Sequence, residues 1–369
     1  MKSKQTPLFD ACIETGGRMI RFLDRNIAIE FGGLEKEYQA IRSTCGLFDI
    51  SQMGVLVLRG EGVKDKLQTL VGSDLNRIGP GESCQTILLN SAGGIRSSII
   101  VHDRGQHKKT NEIILMITKD YAEIETDWIS RELEPKGILI IDLRGTVAML
   151  GLQGPLAEGY INKIIDEKNK IKITPSRHYD CNLNGIRDGS AAGTAALIAR
   201  FSSEHHDSFQ ILLGLNEGIA LWRYLVASGI VPCGLAIWNI LRLEARKHIY
   251  GYDIDSNTSP LETSLSSLVH LEMPQYFMGR QAIEGQTAAN VYYRLVGLKL
   301  ESPIIPRQGC VVQKQGNLIG CVTRGGWSPS LDKPIALAYL HFKVSKISEY
   351  VEVNIDNKTY VSQVMGNPF

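Results

Sequence analysis

The stretch Leu89–Asp103, LNSAGGIRSSIIVHD, sets two serines and a histidine directly behind a Gly-Gly pair. A Gly pair between apolar runs reads as a hairpin turn, because glycine takes positive φ without strain. In the return strand Arg96, Ser98, Ile100 and His102 share one face. Four residues at about 3.3 Å each put Ser98 and His102 ~13 Å apart. A serine nucleophile needs its base within hydrogen-bond reach, so these two cannot form a dyad on their own. His205 and His206 are adjacent; on a strand they would face opposite ways and could not chelate one metal from that strand.

The segment Pro232–Asp255, PCGLAIWNILRLEARKHIYGYDID, carries a second set. Ile237, Ile240, Leu241, Glu244, Ala245 and His248 fall on one helical stripe, which places the Glu244 carboxylate on an apolar face. A buried carboxylate needs a partner. Two readings are open: an internal anchor for the helix, or a ligand contact. Arg242 and Arg246 lie on a neighbouring face with Trp238. Trp327, in RGGWSPSL, reads as a packed indole in an exposed tight turn, with pocket lining as the alternative. No G-x-x-x-x-G-K-S/T loop occurs, no G-x-G-x-x-G follows a strand, and GEG at Gly60–Gly62 reads as a plain strand-to-helix turn.

These residues sit in a chain of 369 with net charge +1 and 43% hydrophobic content. That length implies two or three domains and ample core. The charge balance argues against non-specific nucleic-acid binding. No run approaches the ~18 apolar residues of a membrane span, and the N-terminal MKSKQTPLFDACIETGG lacks a secretory apolar region. The seven scattered cysteines form no C-x-x-C and read as thiols of a cytoplasmic or other reducing intracellular compartment.

The elements that must position these residues are of two textures. Upstream, EKEYQAIRSTCGLFDIS reads as a helix ended by Gly46 and then an extended segment. MGVLVLRG, NEIILMIT and TVAMLGLQG read as strands; EGVKDKLQTLV, YAEIETDWISREL and NEGIALWRYLVASG read as helices, the last stopped by Gly229. From about Tyr292 onward, short apolar runs divided by Gly, Pro and Asn predict an all-β domain, with hairpin turns at QGN and IDNK. We place the boundary between residues 1–285, an α+β region of two interleaved subdomains, and 286–369.

Nine motifs in order carry a resemblance: TPLFD, GLFDISQM, LNSAGGI, LQGPLA, PCGLAIWNILRLEARKHIYGYDID, SPLETSL, FMGRQAI, RLVGL and GGWSPSL. The chain resembles the T-protein (aminomethyltransferase) family of the glycine cleavage system over nearly its whole length. The resemblance implies an α+β fold, a three-domain cloverleaf with a C-terminal β-barrel. It implies tetrahydrofolate as cofactor and lipoylated H-protein as partner, with no nucleic acid and no membrane. Members take the aminomethyl group from the lipoyl arm, release ammonia and leave a methylene on tetrahydrofolate.

The resemblance also marks departures. Where the family reads G-G-I-x-D-D-L-I-V this chain has GGIRSSIIV, so the paired aspartates are Ser97 and Ser98, and the catalytic residue is unknown. The Glu expected on the pterin corresponds to Gln210, with Glu204 matching an earlier Glu. The ligand-facing Arg is Trp238, with Asn239 following; Arg242 and Glu244 are kept. Thr118 stands for the family's asparagine in V-V-N-A, Gln52 for the histidine of S-H-M, Gln85 for a tyrosine and Ser267 for a tryptophan. A serine can hydrogen-bond but cannot supply a carboxylate's charge. Two other readings therefore stand beside the transferase: a non-catalytic T-protein-like scaffold, and a same-fold transferase or demethylase with another substrate, using Arg96, Ser98 or His102.

Overall fold

The computed structural model describes residues 4–22, 25–107, 110–117, 122–165, 174–183, 193–202, 207–286 and 291–366. The chain divides into two compact units. Unit 1 comprises residues 1–66, 75–85 and 99–238; unit 2 comprises 67–74, 86–98 and 239–369.

Unit 1 opens with a three-stranded sheet of β1 (Lys4–Gln5), β2 (Arg18–Phe22) and β3 (Arg25–Glu30), in the order β1-β3-β2. Its helix α1 (Phe9–Glu14) packs Ala11 and Cys12 inward, and α2 (Leu34–Ser43) buries Glu37, Tyr38, Ala40 and Ile41. The last of these helices stops at Ser43, and Gly46 instead begins β4 (Gly46–Asp49). The strands that follow are β5 (Gly54–Arg59), β6 (Glu82–Leu89), β7 (Ile95–His107), β8 (Thr110–Ile117), β9 (Leu139–Asp142), β10 (Val147–Gln153), β11 (Arg177–Leu183), β12 (Thr194–Ser202), β13 (Asp207–Gly214) and β14 (Val231–Cys233).

These eleven strands form one sheet in the order β14-β4-β10-β13-β12-β11-β6-β7-β8-β5-β9. The apolar runs GVLVL, IILMI and AMLGL are its buried interior, in β5, β8 and β10. Alternation is lost there because both faces are covered. Helices α3 (Val63–Gln68), α4 (Ala122–Leu133), α5 (Ala157–Ile164) and α6 (Leu215–Ala227) connect the strands. The core of unit 1 joins Leu8, Leu47, Leu150, Phe209, Ile211 and Trp222. Strands β6 and β7 pass from one unit to the other along their length.

In unit 2 the Gly-Gly turn joins β6 to β7 as the sequence predicts. The Asn90 amide donates to the Gly94 carbonyl at 2.9 Å, and Gly93 has φ +81. A Cβ on Gly94 would lie 1.9 Å from the Ser256 carbonyl oxygen, so the backbone approach itself demands glycine. Helix α7 (Leu235–Glu244) begins in unit 1 and ends in unit 2. Its helical stripe stops at Glu244: Ala245 and His248 lie beyond it, and Arg246 takes the left-handed conformation with φ +48.

The C-terminal strands close a six-stranded barrel. In barrel order they are 293–300, 333–341, 317–328, 311–314, 350–355 and 358–365. Both predicted hairpins are present, with Gln315 and Gly316 in one turn and Asp356 and Asn357 in the other, all at positive φ. Trp327 is not in a turn. It belongs to the long strand Asn317–Ser328 and pairs with Pro334. The Gly pair that suggested a turn is flat strand backbone there, one Gly approaching Pro306 too closely for a Cβ.

Candidate functional site

In unit 1 a short chain of backbone constraints fixes the start of α7. The Glu37 side chain is fully buried, yet no cation meets it among the contacts described. Instead its Oε1 accepts the amides of Phe31 at 2.6 Å and Gly32 at 3.3 Å, and its Oε2 accepts the amide of Gly234 at 2.9 Å. Bonds to a carboxylate are stronger than neutral ones, so one side chain ties the β3–α2 turn to the β14–α7 turn. Gly234 makes the approach possible: a Cβ there would stand 2.2 Å from the Ile29 carbonyl oxygen.

One turn further on, the Trp238 amide donates to the Gly234 carbonyl. Its indole then meets the Phe48 ring edge-on, with centroids 4.9 Å apart at 67°. Phe48 on β4 stands in a cross-strand row with Gly151 on β10 and Gln210 on β13. Directly paired residues present their side chains on one face. Phe48 and Gln210 therefore share a face, and the residue between them has no side chain. The Gln210 Oε1 is buried and without a hydrogen-bond partner.

Beside Phe48 and Trp238 lies a small cleft of about 20 Å³, room for a water or so. Ile27, Phe31, Asp49 and Gln52 also line it. The Gln52 Oε1 is a second buried amide oxygen with no partner. Asp49 accepts the Ser51 amide at 2.9 Å, and burial pushes its carboxyl above the usual carboxylate range.

A separate polar cluster lies deeper in the same unit. The Ser83 hydroxyl bridges His102 Nδ1 at 2.8 Å and His178 Nδ1 at 3.0 Å, and all three residues are buried. His102 thus turns into the protein rather than toward a substrate. Burial lowers both histidines, His178 to about 4. Among the described residues no group of three or more His, Cys, Asp or Glu is placed to hold a metal ion; His205 and His206 lie outside the described residues.

Residues 8–273 match the GCVT N-terminal domain, and residues 294–369 match the glycine cleavage T-protein C-terminal barrel domain. Aminomethyltransferase from Synechococcus sp. (strain RCC307) is 44% identical over 99% of this chain and 98% of its own length. Aminomethyltransferase from Prochlorococcus marinus (strain MIT 9313) is 41% identical over 100% of this chain and 98% of its own. The crystal structure of glycine cleavage system aminomethyltransferase T from Bartonella henselae aligns with TM-score 0.87 and 25% identity, covering 99% of this chain and 97% of that one. The chain belongs to the glycine cleavage T-protein family.

Its α+β fold with a closed C-terminal barrel is the T-protein fold. Of the positions marked by resemblance, Gln210 and Trp238 lie in unit 1, as described above. Thr118 and Glu204 lie outside the described residues. Ser97 and Ser98 open β7 in unit 2: Ser97 is fully buried and donates to the Ser98 carbonyl at 3.2 Å, and Ser98 is half-buried. Neither carries a charge.

Arg242, four residues after Trp238, donates to the His248 carbonyl and holds the turn beyond α7. Glu244 is an anchor. Its Oε1 accepts Ser328 Oγ at 2.6 Å, Ser330 Oγ at 2.7 Å and the Ser330 amide at 3.3 Å, which binds the helix end to the SPS corner of the barrel. Two residues not singled out from sequence complete that end. Asp253 is buried, pairs with Arg324 at 3.1 Å and accepts Thr323 Oγ1 at 2.7 Å. Arg324 in turn donates to the carbonyls of Asn239 and Lys247. Phe31, Phe48, Asp49 and Glu37 were also missed as site-builders; the GLFDISQM motif was the available signal for two of them.

Proposed function

We propose that this chain is an aminomethyltransferase of the glycine cleavage system that passes a one-carbon unit from a lipoyl-borne aminomethyl group to tetrahydrofolate. The observation that carries the reading is coverage: the two T-protein domains match residues 8–273 and 294–369, and the named aminomethyltransferases match 99–100% of the chain. The partner is the lipoylated carrier, H-protein. All seven cysteines are free, which supports a reducing compartment, and no helix among the described residues is long and apolar enough to cross a membrane.

The folate fits the residues present: the buried, unmet amide oxygen of Gln210 is an acceptor for an N–H of the pterin. When bound, the folate supplies the nitrogen that receives the one-carbon unit. The chain's own part is to hold that ring, exclude water and hydrogen-bond near the reacting centre. Ser98, at the family's aspartate position, offers a hydroxyl where a carboxylate would stabilise developing positive charge. Turnover is accordingly set low relative to a protein with the carboxylate. The test is ammonia release and methylene-folate formation with aminomethylated H-protein, with and without tetrahydrofolate. Folate-dependent release supports the reading; no release at saturating folate and carrier refutes it.

A further inference from the structure

We propose that one end of the C-terminal barrel is a docking surface for an anionic lipid membrane, with apolar side chains at its turns entering the headgroup region and the cations beside them meeting the lipid charge.

The register of the barrel gathers this surface. Strand Tyr293–Leu300 begins where strand Lys333–His341 ends, because Tyr293 pairs with His341. Gly320 pairs with Leu340 and Gln313 with Glu352, so the 315–316 hairpin and the 342–349 link lie at that same end. Leu318 and Ile347, beside and within these connections, are 70% and 68% exposed, the two most exposed large apolar side chains among the described residues. Tyr292, Tyr293 and Tyr350 are exposed there too. An apolar ring with a polar tip suits the boundary between lipid and water.

The charge at this end has one sign. Arg294, Lys343 and Lys346 are exposed. The segments 291–294, 314–318, 340–350 and 363–366 contain a single carboxylate, Glu349, and Lys314 already pairs with it. Other occupants fit less well. A second copy docking through the same face would set cations against cations. A nucleic acid needs free ring faces for its bases, but His341 is stacked on Phe342 with centroids 4.9 Å apart, and Tyr293 meets it edge-on at 81°. An acidic protein needs apolar contacts gathered at the centre and charge at the rim. Here the apolar tips stand on separate turns, Ile347 directly after Lys346, and a fluid bilayer receives each tip singly. This contact needs no spanning helix. It departs from the membrane-free partner set that the resemblance implies, and it does not depend on the transfer chemistry.

The test floats the full chain with vesicles of phosphatidylcholine alone and of phosphatidylcholine mixed with phosphatidylglycerol. The chain should rise with the mixed vesicles, stay behind with the neutral ones, and be released by added salt. Lys343→Gln and Lys346→Gln should each lower the partition coefficient about fivefold, and Ile347→Ser about tenfold. All three positions are exposed, so an unchanged melting temperature shows that each variant is folded. The proposal is overturned if the mixed vesicles leave the chain behind at low salt, if neutral vesicles carry it equally, or if the lysine variants bind as tightly as the unaltered chain. Weakened binding in the lysine variants with Ile347→Ser unaffected marks a purely ionic surface, fit for an acidic protein, and overturns it as well.

Discussion

Acid should destabilise unit 1 through His178 and His102. The Ser83 hydroxyl has one proton to give. His102 Nε2 lies 3.3 Å from the Met116 sulfur, a weak acceptor, so that nitrogen carries the His102 proton. His102 Nδ1 is then bare and accepts from Ser83, and His178 Nδ1–H donates to the Ser83 oxygen. Both rings are neutral in this arrangement, and a second proton on either breaks it. The charges facing His178 are Asp180, Arg104 and Asp103, and they do not offset its burial, which sets its pKa at about 4 against an ordinary 6.5. A histidine lowered in this way costs nothing above its unfolded pKa. As pH falls below that value the unfolded chain takes a proton that the folded chain refuses, and stability is lost until the folded pKa is reached. At about pH 4.5 the loss from His178 alone is roughly 2.5 kcal/mol. His102 adds in the same direction.

The perturbation is His178→Asn, whose amide nitrogen keeps a donor near the Nδ1 position but does not titrate. Urea unfolding of both proteins at about pH 7 and about pH 4.5 gives the differential directly. The variant should lose less stability over that interval by about 2 kcal/mol, in line with the difference in protons bound. If the two proteins decline in parallel, His178 is not held neutral by burial and the proton order assigned to the cluster is wrong.

Three further outcomes follow from the same geometry. Ser98→Asp should raise folate-dependent ammonia release by on the order of a hundredfold, whereas Ser97→Asp, at a fully buried position, should cost about 3 kcal/mol or more of stability; steady-state rates and urea midpoints separate the two. Gly234→Ala drives a methyl into the Ile29 backbone and should cost about 1–3 kcal/mol, read as a lowered melting temperature. Glu244→Gln keeps the shape but removes the charge that three donors meet; the expected loss is about 1.5–3 kcal/mol, and a neutral urea midpoint would show that the SPS corner does not depend on it.

The legible part of this fold was what repeats locally. GVLVL, IILMI and AMLGL could be named as strands because apolar runs of that length have few other uses, and QGN and IDNK as hairpins because their turns need positive φ. What failed were signals with two physical meanings. The Gly-Gly before Trp327 read as a turn, but here the glycines serve a close backbone approach inside a strand. Ala245 and His248 continued the apolar period of α7, yet the chain leaves the helix at Arg246, whose left-handed backbone no side-chain periodicity announces. Glu244 was correctly marked as a buried carboxylate in need of partners, but those partners are serines more than eighty residues away. The cavity was harder still. Phe31, Phe48 and Trp238 come from three distant segments, and Glu37, which sets two of its walls, looks in sequence like any solvated helix carboxylate.

That division separates the candidate site from the frame that carries it. The buried carboxylates that hold the frame draw their donors largely from backbone and hydroxyl groups: Glu37 from three amides, Glu244 from two serines, Asp253 from Thr323 and the Ile249 amide as well as Arg324. None of those donors is Ser97, Ser98, Gln210 or Trp238. Exchanging site residues therefore leaves the frame's hydrogen bonds intact, and independent sites add. The consequence is testable in combination: Gln210→Glu with Trp238→Arg should alter ligand binding strongly while moving the urea midpoint by no more than the sum of the single changes. A large loss of stability in Trp238→Arg alone would show that the aromatic pair of Phe48 and Trp238 is part of the frame after all.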